Sequence, residues 1–343
     1  MKDSAPSGME IGTGSGFLNP FRALTPGAGK AIMSIKFIRT AFEGAGGGAA
    51  MKYTIANDRL TAVFDTMGAQ MNSLKTREGT EYLWQGNPEY WKGQAPVLFP
   101  IVGNLRKKRA SIGGNRTCHM EQHGVVRHME FRLVNREADS IIFSVCSNEW
   151  TRNQYPYDFE LQIRYALKKT SIVTEYTVKN PNQEVLPFQI GGHPAFNCPL
   201  EGDGRFEDYR VEFELPETAD CPTIDPETRL LDMDRRIPLL RGERSFQLNR
   251  GFFQTDALVF DRLKSRRVKL YNPASGHGVQ MNFSDFRYLL VWSSSNGGPF
   301  IALEPWSGLP TCSDEGDVFE QKRGVCLLPP GREAKRSFEV SVF

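Results

Sequence analysis

The amino-acid sequence predicts an all-β protein, one large antiparallel β-sandwich spanning about residues 51–343. Three observations carry that reading. Short windows alternate apolar and polar residues with period two, as strands with one buried face do. Turn clusters such as Asn180-Pro-Asn, Asn272-Pro-Ala-Ser-Gly and Asn296-Gly-Gly-Pro separate the windows. No segment carries a 3.6-residue apolar stripe over three turns, and the strand–helix–strand rhythm and glycine fingerprints of a doubly wound sheet are missing.

The alternation can be followed along the chain. Phe159, Leu161, Ile163, Tyr165 and Leu167 open it, and Ile172, Thr174, Tyr176 and Val178 follow after a turn. Val211, Phe213 and Leu215 form the next window, then Val268 with Leu270, and Val279, Met281 and Phe283. Phe338, Val340 and Val342 close it. Sheets of this kind bury one face each and leave outer faces and loop ends free for a ligand.

Residues 1–50 differ in kind. They are rich in Gly, Ala, Ser and Pro, lack periodicity, and end in the linker-like run Gly44-Ala-Gly-Gly-Gly-Ala-Ala50 before the patterned segment opens at Met51. They read as an upstream extension, disordered or non-native, with Met51 as the natural start. A targeting peptide is the competing reading of the basic, apolar stretch Lys30–Arg39, but Asp3, Glu10 and Glu43 and the missing basic start oppose it. Gly27-Ala-Gly-Lys30 resembles a phosphate loop only superficially, since Ala31 stands where Ser or Thr would hold magnesium.

Composition excludes several classes. With 42 Lys and Arg against 40 Asp and Glu, the net charge is +2, which leaves no electrostatic footprint for nucleic acid. The single basic cluster, Arg106-Lys107-Lys108-Arg109, is short and has no interleaved aromatics. No apolar run approaches the ~20 residues of a membrane span. The six cysteines lack a C-x-x-C pair and read as free thiols in a reducing compartment, so a cytoplasmic location is expected. No feature sets an oligomeric state.

Candidate chemistry comes from local context. Of the five histidines, His119, His128 and His277 have plain loop or turn surroundings. His123, in Gln122-His-Gly-Val-Val-Arg127, and His193, in Gly191-Gly-His-Pro-Ala-Phe-Asn197, have glycine or proline neighbours that restrict the backbone and let a ligand approach closely. Glu304 ends the apolar run Phe300-Ile-Ala-Leu-Glu304, where a carboxylate is costly unless paired or catalytic. The plain alternatives are loop histidines bonded to backbone and a strand-end glutamate satisfied by amides. A two-histidine, one-carboxylate metal site is a further arrangement of His123, His193 and Glu304, but no His-x-His or His-x-Asp/Glu pairing supports it.

Taken in order, five segments resemble the galactose mutarotase (aldose 1-epimerase) family, in its bacterial LacX-type branch. They are Ala95-Pro-Val-Leu-Phe-Pro-Ile-Val-Gly-Asn104, Gln122–Arg127, Gly191–Asn197, Thr255-Asp-Ala-Leu-Val-Phe-Asp261 and Leu303-Glu-Pro-Trp306. The resemblance implies a β-supersandwich and an aldose 1-epimerase that interconverts α and β anomers of an aldohexose. It implies His193 as the acid at the ring oxygen and Glu304 as the base at the anomeric hydroxyl. His123 and Asp256 would hold the sugar, and Arg106, Arg109 or Asn104 would fill the role of the family arginine. The segment after Gly103 is shorter than in classical members, and Val-Val replaces the usual Phe-Ala after His123-Gly124.

The residue types suit that chemistry, because an acid and a base tuned near neutrality each contribute on the order of 10²–10⁴ in rate. No metal or redox cofactor is expected, and the partner is a small-molecule sugar. Trp292 and Trp306 either pack against the sugar or belong to the core. Three other readings stay open. The Arg106–Arg109 cluster would suit a hexose 6-phosphate. Glu304 with Asp256 could supply a glycosidase pair, which leaves His193 without a role. A non-catalytic carbohydrate-binding sandwich would keep the pocket without turnover.

Overall fold

The computed structural model describes residues 51–343; residues 1–50, read above as an extension, lie outside the described residues. The alternating windows form strands. Glu160–Lys168 and Ser171–Lys179 pair antiparallel along their whole length, with Leu161, Ile163, Tyr165, Ile172, Thr174, Tyr176 and Val178 buried on the inner side. They lie within a nine-stranded sheet ordered Ser245–Gln247, Arg210–Phe213, Arg267–Tyr271, Gly278–Asn282, Glu333–Val342, Ser171–Lys179, Glu160–Lys168, Ser140–Cys146 and Arg132–Arg136. One expected position departs from the pattern. Beyond Phe213 the backbone leaves the ladder, the Leu215 N–H donates to Ser265 Oγ at 3.2 Å, and the Leu215 side chain turns outward.

A six-stranded antiparallel sheet carries the remaining core. Its path runs Leu258–Phe260, Tyr288–Trp292, Phe300–Trp306, Gly191–Gly192 and Val97–Leu98, and Ala195–Asn197 also pairs with Phe300–Trp306. Period two divides its side chains. Leu258, Leu289, Val291, Ile301 and Leu303 join the main core together with residues of the nine-stranded sheet. Each such apolar side chain contributes about 1.5–3 kcal/mol by leaving water. Val259, Leu290, Ala302, Glu304 and Trp306 lie on the opposite face.

That outer face is covered in two places. The hairpin Thr218–Ile224 with Leu231–Arg241 sets Ile224, Leu231 and Met233 against Val259, Leu290 and Trp306. From the other side, Trp84, Tyr90 and Trp91 pack on Phe300 and Ala302. Between the two covers the sheet floors a cavity. Among the described residues the α-helix is a four-residue turn, Glu149–Arg152, capped by the Asn148 side chain, which accepts from the Thr151 N–H. None of these residues forms a helix long and apolar enough to cross a membrane.

Candidate active site

Glu304 is carried by a strand whose seven residues, Phe300–Trp306, are all buried. Pairing sets it opposite Leu290, and alternation turns its side chain away from the core that Ile301 and Leu303 enter. No backbone amide among the described residues bonds it. The contrast is Glu217, equally buried, whose carboxylate accepts from the N–H groups of Lys264 and Ser265, at 2.7 Å for the latter. Glu217 is a structural carboxylate. Glu304 instead keeps Oε2 without a hydrogen-bond partner and faces His193, whose Nε2 lies 3.2 Å away.

His193 follows the two-residue strand Gly191–Gly192. Glycine is required at 191 because a Cβ there would come within 2.7 Å of Trp306 Cδ1. The His193 N–H donates to the Pro96 carbonyl at 3.2 Å. The Trp91 indole stacks on the imidazole at 4.8 Å between centroids, and Trp292 meets it edge-on at 5.4 Å. Its Nδ1 has no protein partner among the described residues. Burial pushes the imidazole down to about 3 and raises the Glu304 carboxyl well above the usual range, where the charge of Asp256 adds to the effect of burial.

His123 is fixed differently. It and Gly124 both have positive φ, 69° and 74°, in a turn held to the Gly103 loop by two reciprocal bonds. The His123 N–H donates to the Gly103 carbonyl at 2.8 Å, and the Gly103 N–H donates to His123 Nδ1 at 3.1 Å. A ring nitrogen that accepts carries no proton, so in the neutral imidazole the proton sits on Nε2. Burial, then His193 and Arg127, hold the ring well below its ordinary pKa. His123 is therefore a neutral donor, meeting the His193 ring edge-on at 5.6 Å.

The cavity enclosed by these groups measures about 290 Å³. Five of the seven polar residues singled out from sequence line it, His123, His193, Glu304, Asp256 and Asn104, together with Trp292 and Trp306. Arg106 does not. Its Nη2 donates to the carbonyls of Cys312, Ser313 and Glu315, and its Nε approaches Asp317 at 3.4 Å, so the guanidinium holds the 312–317 loop. Arg109 is exposed at the start of its strand and is not among the lining residues.

Two arginines to which the sequence assigned no role do line the cavity. Arg127 closes the Gln122–Arg127 segment, and its Nε donates to His128 Nε2 at 3.1 Å. It has no carboxylate at ion-pairing distance among the described residues, and burial lowers its pKa. Arg229 sits at φ 59° after a turn organised by the Asp225 side chain, and its Nη2 donates to Asp256 Oδ2 at 2.7 Å. The position of Arg127 at the end of a family-like segment was a usable signal; Arg229, distant in sequence from every other site residue, offered none. No group of three His, Cys, Asp or Glu among the described residues is arranged to hold a metal ion.

Comparisons with known proteins bear on the family and the fold. The family model described as aldose 1-epimerase matches residues 51–322. The chromosomal protein LacX of Lactococcus lactis subsp. lactis is 43% identical over 297 residues, covering 85% of this chain and 99% of that one. A galactose mutarotase related enzyme from Lactobacillus acidophilus superposes with a TM-score of 0.80 at 30% identity, over 85% of this chain and 97% of that one. A galactose mutarotase-like protein from Lactobacillus casei gives 0.79 at 27% identity, over 85% and 100%. The chain belongs to the aldose 1-epimerase family of sugar-processing enzymes, in its LacX-type branch.

Proposed function

We propose that the protein interconverts the α and β anomers of a free aldohexose, with His193 as acid and Glu304 as base. The observation that carries this reading is the 3.2 Å separation of His193 Nε2 and Glu304 Oε2 inside a sugar-sized cavity. The ring oxygen and the anomeric hydroxyl of a pyranose are bonded to the same carbon. Two groups this close can address both oxygens at once.

In the forward step the proton that the pair shares first crosses the 3.2 Å from Glu304 to His193. The ionised Glu304 then removes the proton of the C1 hydroxyl while His193 delivers its own to the ring oxygen. The C1–ring-oxygen bond breaks and C1 becomes a carbonyl. Rotation about the C1–C2 bond presents its other face, and the reverse transfers close the ring as the opposite anomer. His123 Nε2–H donates to the ring oxygen or a neighbouring hydroxyl. Asp256 and Asn104 bind hydroxyls farther from C1, and Trp306 supplies an apolar wall.

Polarimetry on freshly dissolved α-glucose and α-galactose tests the reading. His193→Asn and Glu304→Gln should each slow mutarotation by about 10²–10⁴. Full rate in both variants would refute the mechanism. Arg127 favours one second reading, a hexose phosphate, because its guanidinium faces the same cavity without a carboxylate partner among the described residues. A higher kcat/KM for glucose 6-phosphate than for glucose, lost in Arg127→Gln, would establish it.

A further inference from the structure

The strand Phe300–Trp306 carries a second polar group to the cavity besides the Glu304 carboxyl. Trp306 lies two residues on, so period two puts both side chains on one face of the sheet. Both are buried, and both line the cavity. The indole has little room to turn. Its Cδ1 packs on Gly191, where a Cβ would come within 2.7 Å of it, and the His123 ring meets it edge-on at 5.6 Å between centroids. Nε1 is bonded to Cδ1, so the N–H edge of the ring lies beside the Gly191–Gly192 segment that leads into His193.

The indole nitrogen can only donate, and among the described residues Nε1 has no hydrogen-bond partner. An N–H buried in that condition costs stability. Oε2 of Glu304, in the same cavity, has no partner either. A neutral carboxyl does without a strong donor, whereas a carboxylate in a buried site does not. Burial raises the Glu304 carboxyl well above its usual range and Asp256 adds to that, while the Trp306 indole pulls the other way. An arginine or lysine in its place would pull far harder and leave a base too weak for the C1 hydroxyl. The indole N–H adds no charge and keeps its own proton.

We propose that Trp306 is a positioning residue for the base, its indole N–H donating to the Glu304 carboxylate that forms when the proton of the pair crosses to His193. Its effect on rate rests on the anomerase reading above. The bond moves no proton of its own. Glu304 gives its proton to His193, holds the negative charge against the indole, and is neutral again once it has taken the proton of the C1 hydroxyl. His193 passes its own to the ring oxygen. Trp306 thereby lowers the energy of the ionised state through which every turnover passes.

Two replacements separate the N–H from the apolar wall. Benzothienylalanine at position 306, introduced by amber suppression, keeps the bicyclic shape and carries sulfur in place of the N–H. Trp306→Phe removes the N–H together with part of the ring. Polarimetry on α-glucose and α-galactose should show kcat about tenfold lower in both, with KM of the benzothienyl protein within about twofold of the parent. A benzothienyl protein with the parent's kcat would overturn the proposal, whatever Trp306→Phe does. Proton–nitrogen NMR reads the bond itself. The Trp306 indole signal, identified by its loss in the benzothienyl protein, should move downfield as pH rises from about 6 to about 10 in the parent and hold still in Glu304→Gln. A signal that stays fixed in the parent, or moves equally in Glu304→Gln, would also overturn it. If no sugar mutarotates faster with the parent protein, the anomerase reading fails instead, and the indole signal alone decides whether Trp306 bonds the carboxylate.

Discussion

Nε2 of His193 and Oε2 of Glu304 lie 3.2 Å apart, and burial drives the two groups toward their uncharged forms from opposite directions. The imidazole resists gaining a proton and the carboxyl resists losing one. The pair therefore holds one proton between its two members over a wide span of pH. One proton is the count that simultaneous acid and base action requires.

The first prediction concerns that span. His193 takes up a second proton for the pair only near pH 3, so kcat/KM for mutarotation should show no acid limb around 6.5, the value of a solvated histidine. Rates measured from pH 4.5 to 8 on a fixed sugar check this. An acid limb with its midpoint near 6.5 would mean that the imidazole is far better solvated than its position between Trp91 and Trp292 implies.

Glu304 should cost the fold stability while serving the chemistry. Its folded-state pKa lies above the free value, so the native state binds the proton more tightly than the unfolded chain. The resulting stability is fully present below about pH 4.5 and is lost as pH rises through the folded-state value. Glu304→Gln mimics the protonated form at every pH. It should be more stable than the parent near neutrality, on the order of 1–3 kcal/mol, with the gap closing in acid. Urea unfolding at pH 4 and pH 7.5 reads the difference, and a gap that fails to grow with pH would count against a buried, raised carboxyl.

Arg127 bears on both histidines. Burial is the larger cause of their low pKa values, but the guanidinium charge pushes in the same direction. In Arg127→Gln both imidazoles should titrate at higher pH than in the parent, followed by NMR of the Cε1 protons. Unchanged titration would show that the guanidinium is screened from the cavity.

Gly191→Ala probes the floor of the site. The added methyl would press on Trp306 Cδ1, the Pro305 carbonyl and Val102 Cγ1, so Trp306 must shift or the strand must bend. A loss of about 1–3 kcal/mol is expected in urea unfolding, with a lower mutarotation rate from displaced Trp306 and His193. A neutral outcome would mean the contact relaxes without cost.

Much of the framework was legible in sequence because period-two burial is a local property. Leu161 through Leu167 and Ile172 through Val178 are placed by their own neighbours and pair as consecutive strands. Leu215 was not legible, since a side-chain hydroxyl from Ser265, distant in sequence, draws its backbone out of the ladder. The site divides along the same line. Short rigid segments around His123, His193 and Glu304 mark those residues as unusual through their immediate neighbours alone. Choosing the arginine needed three dimensions, because the commitment of Arg106 depends on carbonyls more than two hundred positions away. Arg229 was invisible for the same reason: a turn in the covering hairpin delivers it to Asp256.

The strand Phe300–Trp306 serves two constituencies, with Ile301 and Leu303 in the core and Glu304 in the cavity. Its register is thus inherited jointly by architecture and chemistry. A change of volume behind the strand, at a residue no sugar ever touches, would tilt the carboxylate relative to His193. Substitutions in the core should accordingly surface as altered proton transfer before they surface as unfolding. The strand is then constrained from its core side as firmly as from its cavity side.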